Sequence, residues 1–175
     1  MSGHSVLLVP VPALEPFVRA RTEHYDRDYV SADPRFVHAH VTALGPFLPR
    51  TELTPEALGQ VAEIAGATAP FDFTLEEVGV FPNGIIHLLP EPTDPFEALT
   101  ERLLRAFPQC PPYAGEFDAV EPHLTLDAVS DEVTPESTLQ LVAPHVPARC
   151  RADRLDLAWY ARGDCRVLHS WRLGG

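Results

Sequence analysis

The sequence predicts an α+β fold of two pseudo-symmetric β-α-β-α-β lobes whose antiparallel sheets flank a central cleft. Two observations predict it. Strand-like and helix-like segments follow one another in the same order in each half of the 175-residue chain, and the same His-x-Thr tripeptide occupies the third segment of both halves. Composition suits one domain with a substantial core, since 45% of the residues are apolar and 22% charged. The expected organisation is a single bilobal domain over residues 1–175, with approximate lobes 1–80 and 81–175.

In the first half, "SVLLVPV" at 5–11 reads as a strand, and residues 13–25 carry Leu14, Phe17, Val18 and Tyr25 at helical spacing. "HVTALGPF" at 40–47 is a strand ended by Gly45 and Pro46. Thr54, Pro55 and Glu56 then open a helix with Leu58, Val61, Ala62 and Ala65 on one face. "FDFTLEEV" at 71–78 alternates as a strand.

From residue 84 the order repeats. "GIIHLL" is a strand, and Asp94, Pro95 and Glu97 supply an N-cap, a first-turn proline and a first-turn acid for "FEALTERLLRAF", whose buried stripe is Phe96, Leu99, Leu103 and Phe107. "PHLTL" is the next strand, Thr134, Pro135 and Glu136 start another helix, and "RLDLAWY" closes the unit. "RVLHSWRL" is added after a Gly163-Asp164 turn. "FPNG" at 81–84 joins the halves too tightly for a flexible linker.

Charge and cysteine usage narrow the function. The formal net charge is −12 and all thirteen basic residues are Arg. An acidic surface disfavours long nucleic acid, whose binding depends on neutralising phosphates, but leaves a small phosphorylated substrate or a short RNA end open. Six arginines (149, 151, 154, 162, 166 and 172) crowd the last quarter, where a solvated face is the simpler reading and a local positive potential the sharper one. The apolar N-terminal stretch lacks a basic leading region and is broken by Pro10, Pro12 and Pro16, so neither a targeting segment nor a membrane span is expected. Cys110, Cys150 and Cys165 show no metal-type pairing, and reduced thiols in a cytoplasmic monomer are the expectation.

Alternate side chains of a strand point the same way, so His40 and Thr42 share one face about 6.6 Å apart, with Val41 and Ala43 on the other. His123 and Thr125 repeat the device above Leu124 and Leu126. Two such surfaces across a cleft set two imidazoles and two hydroxyls around one centre. One neutral imidazole can take a proton from an attacking water while the other delivers a proton to a departing ribose oxygen. The hydroxyls would hold the non-bridging oxygens where negative charge grows. A 2′,3′-cyclic phosphate, which carries its strained leaving group within the molecule, needs no metal for this. With eight His and eleven Thr, chance produces about half a His-x-Thr in such a chain, so it is the pairing that carries information.

On "HVTAL", "HLTL" and "FTLEEVGVFPNGIIHLLPEP" the chain resembles the 2H phosphoesterase superfamily, which includes the bacterial and archaeal 2′-5′ RNA ligase or RNA 2′,3′-cyclic phosphodiesterase proteins. The resemblance covers most of the chain, although only the two short motifs are residue-specific. It implies a 2H phosphoesterase-like fold and metal-independent opening of a cyclic phosphate, commonly to a 2′-phosphate. His40 and His123 match the catalytic pair, and Thr42 and Thr125 match the phosphate-binding hydroxyls. One departure is Asp127, on the strand face where several RNA-acting members have a basic residue. It argues against an RNA chain as substrate.

Other candidates are weaker. Phe47, Tyr25 or Tyr29 could stack on a nucleobase, and Tyr160 and Arg166 could border the cleft. His38 with His40 forms a His-x-His without an evident third ligand, so no metal and no cofactor are expected. His4, His24, His87, His145 and His169 lack a matching Thr and read as surface or packing residues. Two further functions remain open on the same residues: a non-catalytic module binding a nucleotide or phosphometabolite, and a phosphoesterase acting on 2′,5′-linked oligonucleotides or a cyclised ADP-ribose phosphate.

Overall fold

The computed structural model describes residues 2–115 and 121–175. Each half of the chain runs strand, helix, strand, helix, strand. The first half contains β1 (His4–Pro10), α1 (Glu15–Tyr25), β2 (His40–Leu44), α2 (Pro55–Gly66) and β3 (Phe71–Val80). The second contains β4 (Ile85–Glu91), α3 (Asp94–Ala106), β5 (Leu124–Ala128), α4 (Pro135–Val142) and β6 (Ala148–Ala152), followed by β7 (Arg154–Tyr160) and β8 (Arg166–Arg172). The strands form one antiparallel sheet in the order β6-β3-β4-β5-β2-β1-β7-β8. The fold is thus mixed α and β, a curled eight-stranded antiparallel sheet with four helices, whose two four-stranded sides meet at β5 and β2.

Sides of the sheet and halves of the chain do not coincide at residue 80. β3 pairs with β4, to which the short turn at 81–84 ties it, and on its other edge with β6. In that turn Phe81 N–H donates to Ile85 O and Gly84 N–H to Phe81 O, with Gly84 at φ +90°, a conformation that favours glycine. β7 and β8, from the end of the chain, complete the side begun by β1 and β2.

Helix starts follow local chemistry. Thr54 accepts from Ala57 N–H at 3.2 Å, and Thr134 forms a capping box with Ser137. Asp94 is not a cap: Thr93 holds the N-cap position, and Asp94 sits in the first turn beside Pro95 and Glu97, where a carboxylate still favours the positive end of the helix dipole. The segment Ala148–Ala152, "ARCRA", is an edge strand that its alternating arginines disguised. Polar residues facing water are ordinary at a sheet edge.

The helices cover one face of the sheet. Leu7, Val9, Val41, Leu75, Ile86, Leu88, Leu124 and Leu126 from the strands join Phe96, Leu99 and Leu103 from α3 in one core, all at most 2% exposed. The predicted α3 stripe, including Phe107, is therefore the buried one. On the other face a smaller cluster of Val6, Leu8, Phe36, Ala158, Cys165 and Val167 leaves the middle strands uncovered, and the candidate residues lie there. Leu124 is fully buried between His123 and Thr125. Leu124→Ala is expected to lower unfolding free energy by about 2–5 kcal/mol in denaturant titrations, the range for a leucine whose cavity relaxes incompletely.

Candidate active site

β2 and β5 are joined by one residue pair, Val41 opposite Leu124. Continuing this antiparallel register by one residue each way sets His40 opposite Thr125 and Thr42 opposite His123. Each imidazole thus faces the hydroxyl of the other motif. The cavity shared by His40 and Thr125 agrees with this crossing.

A second feature is duplicated. In the β1–β2 ladder Leu7 pairs with Leu44 and Leu8 with Thr42, so Ala43 is an extra residue. In the β4–β5 ladder Ile86 pairs with Asp127 and His87 with Thr125, so Leu126 is extra. Both bulges immediately follow the motif threonine. Such an insertion bends and twists the strand, a common way of aiming side chains at a site.

The rings are oriented alike. His40 Nδ1 lies 2.8 Å from His38 O, and His123 Nδ1 lies 2.8 Å from Glu121 O. A carbonyl only accepts, so each Nδ1 carries a hydrogen and Nε2 is the nitrogen that gains or loses a proton. The carbonyl orienting His40 is itself held from α1. Glu15 Oε1 accepts from Ala39 N–H at 2.9 Å and Oε2 from His38 Nδ1 at 2.8 Å, while Ser31 N–H donates to His38 Nε2 at 3.1 Å. Both nitrogens of His38 are therefore used. It is a buried anchor, not half of a metal pair, and among the described residues no group of three or more His, Cys, Asp or Glu could hold a metal ion.

Two cavities adjoin His40. One of about 230 Å³ is lined by His4, Val6, His40, Thr42, Gly45, Pro46 and Tyr160. The other, about 260 Å³, reaches under α1, where Tyr25, Tyr29, Phe36 and Tyr160 surround His40 and Thr125. Tyr25 and Tyr160 both line the cavity beside His40. Phe47 does not: it is buried in the core, edge-on to Phe107 with ring centroids 4.8 Å apart, because the chain turns inward after Gly45. Arg166 is held by Asp164 and lines neither cavity. The arginine cluster is the solvated face, with Arg151 on Asp72, Arg154 on Asp156 and Arg162 on Asp28. Asp127 is buried 2.6 Å from Arg21 Nε, so its charge ties α1 to β5 and is not presented to the cleft.

The model of the 2′-5′ RNA ligase superfamily matches residues 9–164. The chain belongs to this superfamily. The expected 2H phosphoesterase family is thereby shown, and membership supports a phosphoesterase activity. Solved structures share the superfamily fold across the chain. TT0787 of Thermus thermophilus is 23% identical over 98% of both chains, with a TM-score of 0.64. E. coli LigT complexed with 3′-AMP is 20% identical over 97% of both, with a TM-score of 0.56. LigT complexed with NADP+ is 21% identical over 97% of this chain and 96% of its own, with a TM-score of 0.54. No curated protein sequence matches. No helix among the described residues is long and apolar enough to cross a membrane.

Three residues of this superfamily member escaped sequence reading. Glu15 is a first-turn acid of α1, an ordinary position for a carboxylate. His4 stacks on Tyr160 with centroids 5.6 Å apart, and Tyr160 in turn lies against His40. His87 is 3% exposed and contacts His123. A lone imidazole inside the apolar "IIHLL" was the available signal.

Burial sets the electrostatics. His40 is pushed down to about 4 from 6.5, first by desolvation and then by His123 and His38, against the opposing pull of its carbonyl partner and Glu15. His123 is lowered chiefly by burial, with His87 adding to it. Burial raises the Tyr160 phenol, which stays protonated. The stability linked to His40 is complete above pH 6.5 and is lost as pH falls toward 4, because the unfolded ring takes a proton that the folded ring refuses. The difference in unfolding free energy between wild type and His40→Gln is expected to shrink by about 1–3 kcal/mol from pH 7 to pH 4. A difference independent of pH would show that His40 is not desolvated.

Proposed function

We propose that this chain is a metal-independent phosphodiesterase that hydrolyses a 2′,3′-cyclic phosphate on a nucleotide or short RNA end. The crossed arrangement of His40, Thr125, Thr42 and His123 carries the reading. A phosphate centred over the β2–β5 seam meets one imidazole and one hydroxyl from each side. One Nε2 takes a proton as water adds to phosphorus, the bond to one ribose oxygen breaks, and the other Nε2 protonates that oxygen. The second ribose oxygen stays on phosphorus, so the products are a phosphomonoester and a free hydroxyl. Thr42 and Thr125 donate to the non-bridging oxygens.

The cavity under α1 supports a nucleoside as the non-reacting part. Its volume of about 260 Å³ and its lining by Tyr25, Tyr29, Phe36 and Tyr160 suit a flat ring and a sugar. The nucleotides in the LigT complexes, among them 3′-AMP and ATP, accord with this class of ligand. A cytoplasmic monomer acting as one bilobal domain completes the reading, supported by three cysteines that are all free thiols.

Turnover of 2′,3′-cyclic nucleotides in excess chelator is the direct test. His40→Ala and His123→Ala should each reduce kcat by about 10²–10⁴-fold, with little further loss in the double variant, because the two rings act as a unit. A folded wild type that binds these nucleotides without product would instead make the chain a binding module.

The pH profile is a second test. Catalysis needs one imidazole neutral and one protonated, and both titrate below 6.5, His40 near 4. kcat/KM should therefore follow a bell with its maximum between about pH 4 and 6.5, whichever ring is the base. A profile still rising above pH 7 would contradict the burial of the pair.

A further inference from the structure

We propose that His87 is a positioning residue of the active site, forming with Phe81 an aromatic corner that fixes the ring plane of His123. The inference rests on the reading of His123 as a proton-transfer group. His87 lies on β4, where its register partners are Thr125 on one side and Gly79 on the other. Side chains directly across a ladder share a face, so His87 belongs to the face that carries both motifs, diagonal to His123.

The contacts are specific. The rings of His87 and Phe81 stack with centroids 3.7 Å apart and an interplanar angle of 18°. Both present themselves to His123 nearly at right angles, Phe81 at 4.8 Å and 83°, His87 at 5.5 Å and 66°. Edge-to-face packing of this kind resists rotation of the enclosed ring. His87 is itself held by Nδ1, 3.2 Å from Ile85 O, the same bond to the residue two before that orients His40 and His123.

Gly79 completes the device. A Cβ at this position would lie 2.7 Å from His87 Nε2, closer than such atoms approach, so any other residue would displace the ring. Glycine weakens a strand interior and there often marks close approach by another group. The other side of the sheet has an analogous stack: Tyr160, which flanks His40, stacks on His4 at 5.6 Å and 15°. That stack is looser and borders the cavity beside His40, whereas the His87–Phe81 rings are 3.7 Å apart.

Three variants test the assignment: His87→Ala, His87→Phe and Gly79→Ala, each read by kcat and KM on a 2′,3′-cyclic nucleotide and by side-chain 1H–15N spectra of His123. His87→Ala should lower kcat by at least about tenfold, since small misplacements of a reacting group are costly, with KM changed by less than about twofold. His87→Phe keeps a flat ring against Phe81 and should recover most of kcat. Gly79→Ala should copy His87→Ala. In the spectra His123 should be a single Nδ1–H tautomer in wild type and His87→Phe, and broadened or mixed in the other two.

Full kcat in His87→Ala overturns the proposal. So does a folded His87→Phe as impaired as His87→Ala, because a nitrogen of His87 would then matter more than its ring. If wild type turns over no cyclic nucleotide, the phosphodiesterase reading fails but the spectra still decide the positioning role. An unchanged His123 signal in His87→Ala sinks it.

Discussion

The site depends on the pairing of β2 with β5 at Val41 and Leu124. This contact joins the two sides of the sheet, and its register alone determines which imidazole faces which hydroxyl. A slip by one residue would turn one of the two motifs into the core, and a slip by two would break the crossing of His and Thr. One bridged pair is a slender join, so the register must be held from outside it. Val41 and Leu124 are fully buried, and Thr100 Oγ1 of α3 donates to Ala43 O at 2.8 Å. From α1, Arg21 grips Asp127 of β5 while Glu15 grips the residues leading into β2. One helix therefore touches the surroundings of both motifs, and the buried Arg21–Asp127 pair sets position more than it adds stability.

Short-range rules account for what the sequence made visible. The period of two in "HVTAL" and "HLTL" separates His40, Thr42, His123 and Thr125, all partly exposed, from fully buried Val41, Leu124 and Leu126. Threonine caps and first-turn prolines mark the starts of α2 and α4, and the periodic stripe marks α3. What was hidden depends on lateral contacts between distant segments. His87 and His4 matter through neighbours on other strands, and Glu15 through backbone brought to it from residues 38 and 39. Phe47 was misplaced because a residue just past a motif need not continue its face once Gly45 and Pro46 redirect the chain. β6 was missed because an edge strand with outward arginines has too little apolar alternation to announce itself. The bulges at Ala43 and Leu126 leave no local mark and emerge only from two ladders laid side by side.

Electrostatics closes the account. To act on a phosphodiester as proposed, a protein of net charge −12 would have to hold an anion, yet among the described residues no arginine lines either cavity beside His40. Arg21, Arg151, Arg154, Arg162 and Arg166 are committed to carboxylates elsewhere. Among the residues lining those two cavities, positive charge can come only from an imidazole, and burial by itself disfavours that charge on both His40 and His123. A bound phosphodiester reverses the balance, since a nearby negative charge favours the protonated form. In the proposed mechanism the substrate would thus help to create the acid that its hydrolysis requires, with the imidazole of the other strand left to act as base. On that reading the site would need no fixed cation. It would hold its charge chiefly while an anion is present, which suits an acidic surface that would otherwise repel its ligand.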